Sequence, residues 1–217
     1  MDLAEIPTAV LHDRDPLTTS LTMRIIGGTA AGLILKTPEG LSVRPTPDLV
    51  RQAIFNSLGD RVVGARVLEL FGGTGALSLE CLSRGAAHAT CVELSRKHAR
   101  FIEQNFDRIG VAREKFQLRV QDVFVALPQL LPAGAQFDLA LADPPFGEKN
   151  INRRSTSLSQ RLLDDELIPK LLAPDGLFVL GHARRDTVSL SPVWSEVKQM
   201  RHGDSMVRFL RCGRTTP

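Results

Sequence analysis

The sequence predicts an α/β fold: a seven-stranded, mostly parallel sheet with helices on both faces, and a small β/α extension ahead of it. Three observations predict it. Short apolar runs alternate with helical patterns through the middle of the 217-residue chain, as they do where crossover helices join parallel strands. The first of those runs leads straight into a glycine-rich turn and a helix. The C-terminal end alternates apolar and polar residues around His202-Gly203-Asp204, which is hairpin patterning.

Taken in order, residues 24–26 and 33–35 are short strand-like pieces around Gly27, Gly28 and Gly32, and Thr46-Pro47-Asp48 is set to cap a helix running to Leu58. A strand follows at 66–71 and a helix at 76–83. Residues 88–93 form the second strand, and Ser95 opens a helix reaching about 109, where Gly110 stops it. The third and fourth strands fall at 116–120 and 137–142. One helix is expected over 158–172, a turn at Pro174-Asp175-Gly176, a fifth strand at 177–180, and hairpin strands at 193–200 and 206–211. This divides the chain into a loose N-terminal extension (1–22), a hairpin and helix extension (23–62) and the sheet domain (63–217).

Composition narrows the function. With 43% apolar and 24% charged residues, the chain has the make-up of an ordinary globular domain. No apolar run approaches the roughly 18 to 20 residues that cross a bilayer, so no membrane association is expected. Three scattered cysteines, none in a CxxC pair, argue against a disulfide framework and for a reducing, cytoplasmic compartment. The five histidines lack metal-ligand spacing, so no metal is expected. Net charge is only +3, but it is unevenly placed. Residues 23–66 hold six basic against three acidic side chains, residues 147–161 four against one, and residues 182–217 seven against three. Such clusters are most simply solvated faces; together they also suit a polyanion.

The strongest local feature is Glu69-Leu70-Phe71-Gly72-Gly73-Thr74-Gly75-Ala76, a glycine-rich turn between strand and helix that brings backbone N–H groups against a nucleotide-like ligand. Glu93 ends the second strand, where a carboxylate can accept from both ribose hydroxyls; Asp122 ends the third, where one can accept from an adenine amino group. The dinucleotide pattern fails, because Ser78 stands where its last glycine or alanine belongs. An acid at Glu69 would repel a pyrophosphate but suits a sulfonium, which favours S-adenosylmethionine.

Asp143-Pro144-Pro145-Phe146 follows the fourth strand at the same sheet edge. Its prolines remove two donors and stiffen the turn, leaving the Asp143 carboxylate and the Pro144 carbonyl as outward acceptors. A rigid acceptor pair suits an exocyclic amine, whose lone pair is otherwise delocalised into its base. Hydrogen bonds from both N–H groups aim that lone pair, and Phe146 can stack on the ring, so catalysis is mainly positioning.

These residues resemble class I S-adenosylmethionine-dependent methyltransferases, whose sheet is Rossmann-like. Within them they resemble the bacterial family that methylates the exocyclic N2 of one guanine in small-subunit ribosomal RNA, the RsmD family. The likeness runs from Met23 to about Arg211 and is carried by Met23-Arg24-Ile25-Ile26-Gly27-Gly28, by the stretch from Arg44-Pro45-Thr46-Pro47-Asp48 to Asn56, by the Asp-Pro-Pro-Phe tetrapeptide and by His202-Gly203-Asp204-Ser205. Gln52, Gly181 and His202 depart from its usual Glu, acid and Tyr. The resemblance implies that Glu69, Phe71, Gly72, Gly73, Thr74 and Gly75 hold the methionine part of the cofactor, Glu93 the ribose and Asp122 the adenine, with Leu94, Val123 and Asp143 also against it. It implies that Asp143, Pro144, Pro145 and Phe146 hold a flipped guanine. Arg24, Arg44, Arg51, Arg153 and Arg154 are the expected phosphate contacts. The partner would be ribosomal RNA, within the small subunit or its assembly intermediate. The acceptor chemistry alone fits an adenine-N6 methyltransferase equally well, and a non-catalytic RNA-binding module is the remaining alternative.

Overall fold

The computed structural model describes residues 23–38, 46–132, 134–146, 150 and 154–213. Residues 1–22, and with them the expected loose extension, lie outside this set. The described chain forms β1 (Arg66–Leu70), β2 (His88–Glu93), β3 (Phe116–Val120), β4 (Phe137–Ala142), β5 (Leu172–Ala183), β6 (Trp194–His202) and β7 (Ser205–Cys212). Its helices are α1 (Asp48–Leu58), α2 (Ala76–Ser83), α3 (Arg96–Phe106), α4 (Val123–Leu130), α5 (Leu158–Asp164) and α6 (Leu167–Leu171).

The strands make one seven-stranded sheet in the order β3-β2-β1-β4-β5-β7-β6. The first five are parallel, and β7 inserts antiparallel between β5 and β6. The order reverses at β1 and β4, so the crevice beyond their C-terminal ends is where an open α/β sheet binds ligands. Strand alternation divides the core. Val67, Leu139, Leu141, Val179 and Phe209 face α1, α2 and α3, while Leu68, Leu70, Ala140, Phe178 and Leu210 face α4, α5 and α6. Met23, Ile25, Leu35, Ile54 and Phe55 join the first of these clusters, so the N-terminal segment shares the sheet's core. Its strand-like pieces meet in an isolated antiparallel bridge between Arg24 and Ile34.

Three differences from the sequence pattern have physical reasons. The helix expected over 158–172 breaks in two, because Pro169 in a continuous helix would collide with the Asp165 carbonyl. The Asp165 carboxylate instead accepts from Leu167 and Ile168 N–H at 2.8 and 3.3 Å, which restarts the helix. Strand β5 is longer than expected, since the Pro174-Asp175-Gly176 turn loops out between two paired stretches, with Phe137 opposite Leu172 and Leu139 opposite Leu177. Helix α4 is an addition to the expected elements; Pro128 inside it disguises a helical pattern that Asp122 caps by accepting from Phe124 N–H at 2.8 Å. Among the described residues, no helix is long and apolar enough to cross a membrane.

Candidate active site

At the C-terminal edge of the sheet lies a cavity of about 520 Å³, within the range of small-molecule sites. Its lining brings together Phe71 and Gly73 from the glycine loop, Glu93 and Leu94 after β2, Asp122 and Val123 after β3, and Asp143 to Phe146 after β4. The two halves expected from the sequence therefore open into one space. Thr46, His98, Gly181 and Ser205 also line it.

The glycine loop folds as it does because its backbone must turn sharply twice. Gly73 and Gly75 take φ of 58° and 75°, where a side chain would be strained. Phe71 adopts φ 61° as well, the one non-glycine residue to do so among the described residues, and strain of this kind concentrates at ligand clamps. Glu93 ties the loop to β2: one carboxylate oxygen accepts from Gly73 N–H and the other from Ser95 N–H, both at 2.7 Å. His98 Nδ1 stands 3.4 Å from the same carboxylate. Each Glu93 oxygen keeps a lone pair for a ligand hydroxyl.

Glu69 does not do what its place in the sequence suggests. It is buried beneath the loop and is absent from the cavity lining. Its carboxylate accepts from Leu77 and Ser78 N–H at 3.3 and 3.0 Å, which ties down the first turn of α2. Burial pushes its carboxyl up to about 7, against the pull of hydrogen bonds from Ser78, Cys91 and Leu77. Gly72, Thr74 and Gly75 likewise sit behind the cavity wall. Gly72 packs on Cys91, whose Sγ would overlap a Cβ placed there.

The basic residues also need correction. Arg51 cannot reach a phosphate, because its side chain is 0% exposed. It donates to the Arg24 carbonyl at 2.5 Å and to Asp48 at 2.7 Å, and stands 4.0 Å from the buried Glu80 carboxylate, although its Nε and Nη1 make no hydrogen bond. Glu80 in turn accepts from Ile26 and Gly27 N–H, so this network anchors the N-terminal segment. Arg24 and Arg154 are exposed but paired with Asp48 and Asp164. Arg44 and Arg153 lie outside the described residues. A further basic stretch escapes the segment sums: residues 95–119 hold seven basic against three acidic side chains. Within it Arg96, Lys97 and Arg100 are exposed, with no described carboxylate at ion-pair distance.

The charge of the cavity decides what fits it. Its described lining holds three carboxylates, Glu93, Asp122 and Asp143, and neither Lys nor Arg. That lining would repel the pyrophosphate of a dinucleotide and attract a sulfonium cation. The negative character of the described lining comes from the carboxylates that face the space, and not from Glu69. The donor set fits S-adenosylmethionine: Glu93 and Asp122 offer acceptors to the space, and Leu77, Leu94 and Val123 give it apolar walls.

Comparison with known proteins agrees with this geometry. The model of the family described as Conserved hypothetical protein 95, the RsmD family, matches residues 23–211. The chain belongs to this family. It is 33% identical over 162 residues to YlbH of Bacillus subtilis, provisionally named an rRNA methyltransferase, covering 75% of this chain and 83% of that one. It is 36% identical over 124 residues to ribosomal RNA small subunit methyltransferase D of Escherichia coli, covering 57% of this chain and 60% of that one. Among solved structures, a provisionally named methyltransferase of Escherichia coli, yhhF, superposes with a TM-score of 0.71 at 30% identity, over 88% of this chain and 98% of that one. A provisionally named methyltransferase solved with S-adenosylhomocysteine, SMU.776, superposes with a TM-score of 0.56 over 71% of this chain and 48% of that one. At 18% identity that last likeness speaks to the fold alone. The fold is that of the class I methyltransferases.

Proposed function

We propose that this protein transfers a methyl group from S-adenosylmethionine to the exocyclic N2 of a guanine in small-subunit ribosomal RNA. One observation carries the reading: a single cavity holds a carboxylate-lined end without Lys or Arg among its described residues and, at its other end, the Asp-Pro-Pro-Phe turn. Bound S-adenosylmethionine supplies an electrophilic methyl group. The chain's own residues do the rest by placement. Glu93 and Asp122 hold the nucleoside part, Asp143 and the Pro144 carbonyl accept from the amine's two N–H groups, and half-buried Phe146 stacks on the base. Membership in the RsmD family, and a named relative that acts on small-subunit RNA, support guanine N2 over adenine N6. The exposed cations Arg24, Arg96, Lys97, Arg100 and Arg154 support a polyanionic substrate.

The test is to incubate the protein with labelled S-adenosylmethionine and small ribosomal subunits or their free RNA, digest to nucleosides and separate them. N2-methylguanosine is expected. Label in N6-methyladenosine overturns the base assignment, and no label in either substrate overturns the enzymatic reading.

A further inference from the structure

We propose that Thr46 is a positioning residue for methyl transfer that acts through Asp143, with Gly181 completing the seat of that carboxylate. The inference rests on the amine-holding role proposed above for Asp143. The sequence sets Thr46 to cap α1, but the N-cap is Pro47, and no side chain makes a capping bond there. The Thr46 hydroxyl instead points into the cavity and donates to Asp143 Oδ2, a residue 97 positions away. Its own position is fixed from the core: Asp48, two residues on, is gripped at 2.7 Å by the fully buried Arg51.

Gly181 faces the other oxygen. Its backbone is not in the left-handed region, so conformational freedom does not explain the glycine. Space does: a Cβ at 181 would overlap Asp143 Oδ1 and lie 3.1 Å from its Cγ. The carboxylate is thus seated where β5 lacks a side chain. A carboxylate on its own rotates broadly about its last torsion. Here Thr46 engages one oxygen and the other occupies the space a Cβ at 181 would take, so the plane that must meet the amine is set before substrate arrives. Misplacement of a positioning group by an ångström can cost on the order of 100-fold in rate, which sets the scale of what fixing this plane can contribute.

The experiment measures single-turnover methyl transfer to small ribosomal subunits at saturating S-adenosylmethionine. Thr46→Val, which keeps the shape and removes the donor, is expected to slow transfer about tenfold, with cofactor affinity and melting temperature unchanged, and Thr46→Ser to recover most of the rate. The effect should also require Asp143: in an Asp143→Ala background, Thr46→Val should slow transfer no further. Gly181→Ala, which pushes on the same carboxylate from the other side, should slow transfer and combine with Thr46→Val less than additively. Thr46→Val at the parent rate within about twofold, or an undiminished tenfold effect on top of Asp143→Ala, overturns the positioning role. Parent-like transfer by Asp143→Ala alone overturns the amine-holding reading and this inference with it.

Discussion

The two ends of the cavity are built by different means. At the cofactor end, carboxylates are held by backbone N–H groups no more than 20 residues away: Glu93 by Ser95 and Gly73, Asp122 by Phe124, and Glu69, behind the wall, by Leu77 and Ser78. At the acceptor end, Asp143 is held by a side chain 97 residues away and by the missing side chain of a third segment. The first end is a local structure that one strand–loop–helix unit and its neighbour almost complete alone. The second exists only when the N-terminal segment, β4 and β5 are packed together.

That difference predicts a double dissociation. Asp143→Ala is expected to slow single-turnover transfer by about 100-fold or more while leaving cofactor affinity nearly intact, because the role proposed for it is geometric. Glu93→Ala is expected to do the reverse, weakening S-adenosylmethionine binding by roughly 1.5 to 3 kcal/mol, the scale of hydrogen bonds to a charged group. Titration calorimetry and rapid-quench kinetics on the same preparations separate the two. If Asp143→Ala loses cofactor binding as strongly as Glu93→Ala does, the two ends are one site and the division fails.

The same difference governs what the sequence reveals. β2, β3, β4 and α2 lie where the pattern puts them, since period and glycine placement are local signals. The glycine loop, Glu93 and Asp122 are visible for the same reason. Thr46 and Gly181 are not, because their roles depend on a contact across three segments; Thr46 even carries a local signal, helix capping, that the structure does not use. Glu69 and Arg51 mislead in the opposite sense. An acid beside a glycine loop and an arginine in a basic stretch look functional, yet both are buried and serve neighbouring backbone. Local sequence carries residue type well and burial poorly.

Glu69 allows the structural side of the comparison to be measured by itself. Its carboxyl titrates near 7 when folded, against 4.5 for an unburied glutamate, with burial as the main cause. Between those values the folded protein holds a proton that the unfolded chain has released. Stability therefore declines as pH rises from about 4.5 to 7, the loss is complete above 7, and below 4.5 the group contributes nothing. The shift corresponds to between about 3 and 4 kcal/mol, at about 1.4 kcal/mol per unit. Glu69→Gln, compared with the parent by urea unfolding at several pH values, should flatten that dependence by a similar amount. Identical pH profiles would show that Glu69 ionises as an unburied glutamate does.

The smallest expected effect concerns the rims, where the two ends differ again. Arg24 and Arg154, in the segments flanking the acceptor end, are each committed to an acidic partner. Arg96, Lys97 and Arg100 directly follow Leu94 and Ser95 of the cavity wall and have no such partner among the described residues. Two of these cations also oppose the dipole at the start of α3, whose first turn carries no acid, a placement that costs folding energy rather than supplying it. A phosphate backbone would relieve that cost. Removing one cation that neutralises a phosphate should flatten the slope of log affinity against log salt by about 0.7 to 0.9, so replacing Arg96 and Arg100 by Ala should flatten it by roughly 1.4 to 1.8 without altering cofactor affinity. Replacing Arg24 and Arg154 should flatten it less, since salt already competes with their intramolecular partners, and Arg51→Met should lower the melting temperature and leave the slope unchanged. Filter binding of the ribosomal RNA across a salt series reads all three. A larger change from the Arg24 and Arg154 pair than from Arg96 and Arg100 would move the RNA path to the acceptor rim and reverse this part of the comparison.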